Sequence, residues 1–168
     1  PARRITLSTA GLATRLKEVA ALGINVAVSL NATTNVQRDE LMPAINRMHP
    51  LEELLKACRA YPLPPRRRLT FEYVLLAGIN DTGQDARRLA KLLNGMRCKV
   101  NLIPFNEFPG TPYRRPEEAT VLHFQSILKR AGFIRNSKGR DVLGACGQLG
   151  QVPPNRPAAA LTLLEIGC

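Results

Sequence analysis

Short, nearly continuous apolar runs alternate with amphipathic stretches along this chain, and that alternation restricts its possible folds more than any other feature. The runs are "RRITLST" (3–9), "INVAVSL" (24–30), "LTFEYVLL" (69–76) and "KVNLIPF" (99–105). Runs of this kind read as strands of a parallel sheet covered by helices on one or both faces. Between them, "GLATRLKEVAALG" (11–23) places Leu12, Leu16, Val19 and Ala20 at helical spacing and ends on a glycine suited to a helix C-terminus. "NVQRDELM" (35–42) is a short helix halted before Pro43, and "PLEELLKACRAY" (50–61) carries proline in its first turn. Asn80, Asp81 and Thr82 offer caps for "GQDARRLAKLLNG" (83–95). "PEEATVLHFQSILKRAG" (116–132) has acids in its first turn and bases in its last, as the helix dipole prefers. "FIRN" (133–136) reads as a short fifth strand, whereas 62–68 and 106–113 read as loops.

Strand, helix, strand in this order means parallel strands joined by crossover helices, an α/β fold. With 168 residues the chain is too short for a complete eight-stranded barrel. Part of an incomplete barrel, or a small doubly wound sheet, remains. Residues 1–150 form one such unit, and 151–168 read as an irregular tail. The chain begins at Pro1 and enters a strand at once, so it reads as a piece of a longer protein.

Apolar residues make up 45% and charged residues 22%, the balance of a globular core. The formal charge is +11, and an excess of that size points to a polyanionic partner, nucleic acid first. No basic amphipathic helix with aromatic anchors and no long uncharged apolar run is present, so no membrane is expected among its partners. Four cysteines (Cys58, Cys98, Cys146 and Cys168) lie 40, 48 and 22 residues apart, too far for a knuckle-type metal site. Cys58 and Cys98 fall in apolar patterns and read as buried small hydrophobes. A reducing cytoplasm is the expected compartment, without permanent disulfides.

Ligands of parallel α/β sheets sit at the carboxyl ends of the strands. Ser8 and Thr9 end the first strand, Ser29 the second with Asn31 next, and Asn106 follows the fourth. Glu72 lies within the third, where a charge must be paired or face a site. Hydroxyls, amides and one carboxylate thus gather on one rim, chemistry suited to a polar small molecule. His49 and His123 read as a loop residue and a helix-face residue. No Walker loop or GxGxxG occurs.

Five stretches in collinear order carry a resemblance: "ITLSTAG" (5–11), "VAVSLNAT" (26–33), "FEYVLLAGIND" (71–81), "NLIPFNEFPGTPY" (101–113) and "GRDVLGACGQL" (139–149). Together they resemble the radical S-adenosylmethionine RNA methyltransferases, from about Arg3 to Gly150. The resemblance implies part of an incomplete TIM-like barrel that methylates carbon 2 of adenine in 23S ribosomal RNA and in transfer RNA. It implies S-adenosylmethionine and a [4Fe-4S] cluster as cofactors, an electron donor for the cluster, and a monomer. Ser8, Ser29, Leu30, Asn31 and Asn106 match the family's S-adenosylmethionine contacts, with Asn31 standing where many members have histidine. Cys146 matches the methyl-carrying cysteine.

In the family's mechanism that thiolate takes a methyl group by displacement. A radical generated at the cluster then removes hydrogen from the S-methyl group, and the resulting carbon radical adds to the adenine. A second cysteine frees the product through a transient disulfide. The cluster-binding cysteines, a glycine-rich segment, the general base and the resolving cysteine match nothing in this chain and are expected upstream of Pro1. The chain therefore has no metal ligands of its own and is expected to be inactive alone. Cations near Cys146 favour its thiolate, and small Ala145 and Gly147 give it room to move. A base withdrawn from its stack also needs a basic surface to hold the RNA backbone, with Arg66, Arg67, Arg68, Arg135, Lys138 and Arg140 as candidates. Three alternatives remain on these residues: the related resistance enzyme acting on carbon 8 of adenine, a non-catalytic RNA-binding module, and a fragment of an unrelated barrel enzyme with a small-molecule substrate.

Overall fold

In the computed structural model, five parallel strands form a single sheet in the order β1-β2-β3-β4-β5. The structure describes residues 1–10, 13–128 and 132–134, with Arg3 and 132–134 as backbone only. The strands are β1 (Thr6–Thr9), β2 (Asn25–Ser29), β3 (Leu69–Leu75), β4 (Cys98–Pro104) and β5 (Gly132–Ile134). The helices are α1 (Leu16–Ala21), α2 (Asn35–Leu41), α3 (Pro43–Met48), α4 (Leu51–Arg59), α5 (Gly83–Leu93) and α6 (Glu118–Ile127), with 3-10 turns at Ala2–Arg4 and Ala13–Arg15. A doubly wound sheet reverses its strand order at a switch point. Here each strand pairs with the next in sequence throughout, which is the order of a barrel arc.

Alternation along the strands assigns the faces. In β3, Leu69, Phe71, Tyr73 and Leu75 are buried, while Thr70, Glu72 and Val74 between them are half-buried. The buried set joins Val26, Val28, Val100 and Leu102 against Leu54, Leu55 and Cys58 of α4, Ala86 and Leu89 of α5, and Val121 and Phe124 of α6. The Phe124 ring lies 5.5 Å from that of Tyr73. A second cluster caps the carboxyl end of the sheet, where Leu41, Met42 and Ile45 of the α2–α3 region meet Leu76 and Phe105. Within it the fully buried Arg38 donates to the carbonyls of Ala10 (3.0 Å) and His49 (2.7 Å) and to Asn46 Oδ1 (3.1 Å), and burial lowers its pKa.

Two local expectations change. The helix predicted over 11–23 is described as a 3-10 turn followed by α1, whose one buried residue is Leu16. Pro43 ends α2 as predicted but also opens α3, because proline at a first helical position sacrifices no hydrogen bond. Thr82 caps α5 in a capping box with Asp85, and the predicted Asn94-Gly95 close is a turn in which Gly95 has φ +78°.

Candidate functional site

The face of the sheet turned away from the helices is polar. Strand register sets Ser29, Glu72 and Asn101 side by side on β2, β3 and β4. Ser8 on β1 donates its hydroxyl to Glu72 Oε2 at 3.0 Å; its own register partner on β2 is the small Ala27, which leaves the path open. Asn101 is 4% exposed, and among the described residues its Oδ1 has no partner. A buried acceptor left unpaired beside a carboxylate is suited to a ligand that brings donors, such as hydroxyl or amino groups.

At the carboxyl rim, Leu30 is fully buried and its N–H donates to the Glu72 carbonyl at 2.9 Å. Asn31 has φ +55°, a left-handed conformation that asparagine tolerates better than most residues. Its side chain turns inward: Oδ1 accepts from the Val74 N–H at 2.9 Å, and Nδ2 lies 3.7 Å from Met42 Sδ. Asn31 thus offers a ligand chiefly its backbone. Asn106 is buried at the end of β4, just after Phe105, whose N–H donates to the Leu75 carbonyl. The predicted S-adenosylmethionine contacts Ser29, Leu30, Asn31 and Asn106 therefore share one end of the sheet, with Ser8 on its polar face.

The arginines separate. Arg66, Arg67 and Arg68 precede β3, at the amino edge, so the seven residues of that strand, roughly 20 Å, stand between them and the rim. Arg67 donates to the Gly23 carbonyl at 2.6 Å, a structural bond at the start of β2. Cys146, Arg135, Lys138 and Arg140 lie outside the described residues. His123 is exposed on α6, and His49 follows α3 with a buried Nδ1. The concavity lined by Arg15, Glu18, Val19 and Leu22 belongs to α1, on the helix layer and away from the polar face.

Among the described residues no group of histidine, cysteine or carboxylate side chains is placed to hold a metal ion, so they do not fit an iron–sulfur cluster. Cys58 and Cys98 are buried in the helix-covered core, as predicted. Desolvation pushes the Cys58 thiol up to about 12 and raises Cys98 as well. Native-state alkylation at pH 8 is therefore expected to leave Cys58 unmodified, since roughly one thiol in ten thousand is ionised. Peptide mapping checks this, and rapid labelling of Cys58 in folded protein contradicts it.

Sequence reasoning missed Asn101 and the work of Asn80. The first is an amide inside an apolar run, a signal available in "KVNLIPF". The second reads as one of three adjacent capping residues and differs from them only in the fold.

No helix among the described residues is long and apolar enough to cross a membrane. No family profile matches the chain. Individual proteins do. It is 54% identical over 151 residues to the dual-specificity RNA methyltransferase RlmN of Syntrophus aciditrophicus, covering 88% of this chain and 43% of that protein. It is 54% identical to RlmN of Syntrophobacter fumaroxidans, covering 88% and 44%. A crystal structure of a radical SAM methyltransferase from Sphaerobacter thermophilus superposes with a TM-score of 0.82 at 43% identity, covering 88% of this chain and 44% of that one. A domain of the pyruvate-formate lyase-activating enzyme from Bacteroides vulgatus shares the fold alone, at TM-score 0.63 and 17% identity, with 77% of this chain and 80% of that one covered. The chain thus spans less than half the length of the curated relatives named. With a barrel-arc order of strands, a polar inner face and this degree of identity, the chain belongs to the RlmN family of radical SAM methyltransferases.

Proposed function

We propose that this chain supplies part of the catalytic barrel of an enzyme that methylates carbon 2 of adenine in 23S ribosomal RNA and transfer RNA. The observation that carries the reading is the gathering of Ser29, Leu30, Asn31 and Asn106 at one rim, above the Ser8–Glu72 pair. In this reading these residues hold S-adenosylmethionine, which supplies the one-carbon unit when bound. Ser8 donates its hydroxyl hydrogen bond to Glu72 and so presents lone pairs to the ligand, while Asn101 Oδ1, without a partner among the described residues, adds a second acceptor.

Cys146 carries the carbon. Carbon 2 of adenine is not nucleophilic, so direct displacement on a methyl donor fails there. A thiolate is a strong nucleophile and accepts the methyl group first. The adenine must leave its stack to reach that sulfur, and the +11 charge compensates the RNA backbone during this extrusion. The described residues contribute nothing to holding an iron–sulfur cluster, and the isolated chain is inactive. The buried thiols of Cys58 and Cys98 suit the reducing cytoplasm in which such RNA is modified.

The test is transfer of isotopically labelled methyl from S-adenosylmethionine by the full-length protein to 23S ribosomal RNA and to transfer RNA. Nucleoside mass spectrometry should find the label on carbon 2 of adenine in both. Label on carbon 8 assigns the resistance chemistry instead, and salt-independent RNA binding without transfer overturns the catalytic reading.

A further inference from the structure

Three of the residues assigned to S-adenosylmethionine lie in or beside the short loop after β2, and a side chain from elsewhere in the sequence fixes that loop. Asn80 lies in the turn between β3 and α5 and has no exposed surface. Its Nδ2 donates to the carbonyls of Asn31 and of Val74, both at 2.8 Å. Its Oδ1 accepts from the Leu76 N–H at 2.8 Å, and its own carbonyl accepts the Tyr73 hydroxyl at 2.9 Å. Capping does not explain this set, because Thr82 and Asp85 already cap α5.

The bonds interlock with those of Asn31. The N–H of Val74 goes to the Asn31 side chain, and the carbonyl of Val74 goes to the Asn80 side chain. Two asparagines therefore grip one residue of β3 from both its donor and its acceptor. The second proton of the Asn80 amide fixes the carbonyl of Asn31, the residue at which the loop takes its left-handed turn. Without Asn80, the buried carbonyl of Asn31 and the half-buried one of Val74 lose a donor at the same moment. The loop would then be free to shift, and Ser29 and Leu30 would shift with it.

We infer that Asn80 is a positioning residue of the S-adenosylmethionine site, holding Ser29, Leu30 and Asn31 in place from behind the loop. This rests on the reading that those three residues contact S-adenosylmethionine.

The experiment uses Asn80→Ala and Asn80→Asp in the full-length, cluster-loaded protein. S-Adenosylmethionine affinity is read by calorimetry, and KM is measured separately for S-adenosylmethionine and for RNA. Asn80→Asp keeps the acceptor for Leu76 and removes both donors. Each variant is expected to raise the Kd for S-adenosylmethionine about tenfold or more. KM for RNA should stay within about twofold, a split that general destabilisation does not produce. If Asn80→Ala fails to fold, Tyr73→Phe removes only the hydroxyl bond to the Asn80 carbonyl and is expected to raise the same Kd about threefold. Wild-type protein that binds no S-adenosylmethionine overturns the reading of the site. Wild-type protein that binds it, with folded variants of unchanged Kd, overturns the role of Asn80 alone.

Discussion

Full-length protein with Cys146→Ala is expected to transfer labelled methyl to adenine at least about a thousandfold more slowly than wild type. S-Adenosylmethionine binding should stay within about threefold, because in the proposed mechanism the thiol acts on the methyl group and contributes little to holding the donor. Cys146→Ser should fail almost as completely, since a hydroxyl is scarcely ionised at neutral pH where a thiol beside cations is. The described cysteines cannot take its place. Cys58 and Cys98 are enclosed by the helix layer, and burial disfavours the thiolate of each. Wild-type enzyme should also yield a Cys146 peptide heavier by one methyl group, which the alanine variant lacks. Methyl transfer by Cys146→Ala at an undiminished rate would remove the carrier from the reaction.

The strands β2, β3 and β4 were legible as largely apolar runs, and β1 as a short β-branched one, Thr6–Thr9. "LTFEYVLL" predicts a strand over 69–76, and β3 runs Leu69–Leu75. Parallel pairing followed from the helices between the strands, but strand order did not. An arc and a doubly wound sheet share the same alternation, and only the sequential pairing of β1 to β5 separates them. The rim residues were readable as polar side chains at strand ends. Their arrangement was not, since the row Ser29–Glu72–Asn101 depends on register between segments far apart in sequence. Arg66 to Arg68 illustrate the converse. Their charge is plain in "PLPPRRR", and their place at the amino end, away from the rim, already follows from the strand predicted over 69–76 that they precede. Asn80 was hidden for a local reason: beside Asp81 and Thr82, it looks like another cap.

Acid is expected to weaken the fold at Asp85. Its side chain is 2% exposed, and Oδ1 accepts from Thr33 (3.1 Å), from Gln37 Nε2 (2.8 Å) and from the Arg88 guanidinium, while Oδ2 accepts from the Thr82 N–H and hydroxyl. Burial alone would raise its pKa; the hydrogen bonds from Thr82, Gln37 and Thr33 and the charge of Arg88 outweigh it and leave the pKa lowered. A carboxylate with a lowered folded pKa contributes stability that is fully present above its unfolded value, roughly 4, and lost as pH falls through the folded value. Asp85→Ala is expected to cost about 3 kcal/mol at pH 7, because it removes the Asp85 half of the capping box and strands the donors of Thr33, Gln37, Thr82 and Arg88. For a domain of this size that lowers Tm by about 6–12 °C.

Asp85→Asn should cost less and should narrow the gap in urea midpoint between pH 7 and pH 3 that wild type shows. An Asn variant with the full wild-type pH dependence would move the acid sensitivity elsewhere. Two of the groups that hold Asp85, Thr33 and Gln37, follow directly on the loop of Ser29 to Asn31, and Gln37 also donates to the Ile79 carbonyl beside Asn80. Protonating Asp85 in the folded protein therefore slackens the support of that loop from the α5 side, so affinity for S-adenosylmethionine should fall as pH drops through this lowered folded pKa, and Asp85→Asn should remove that dependence.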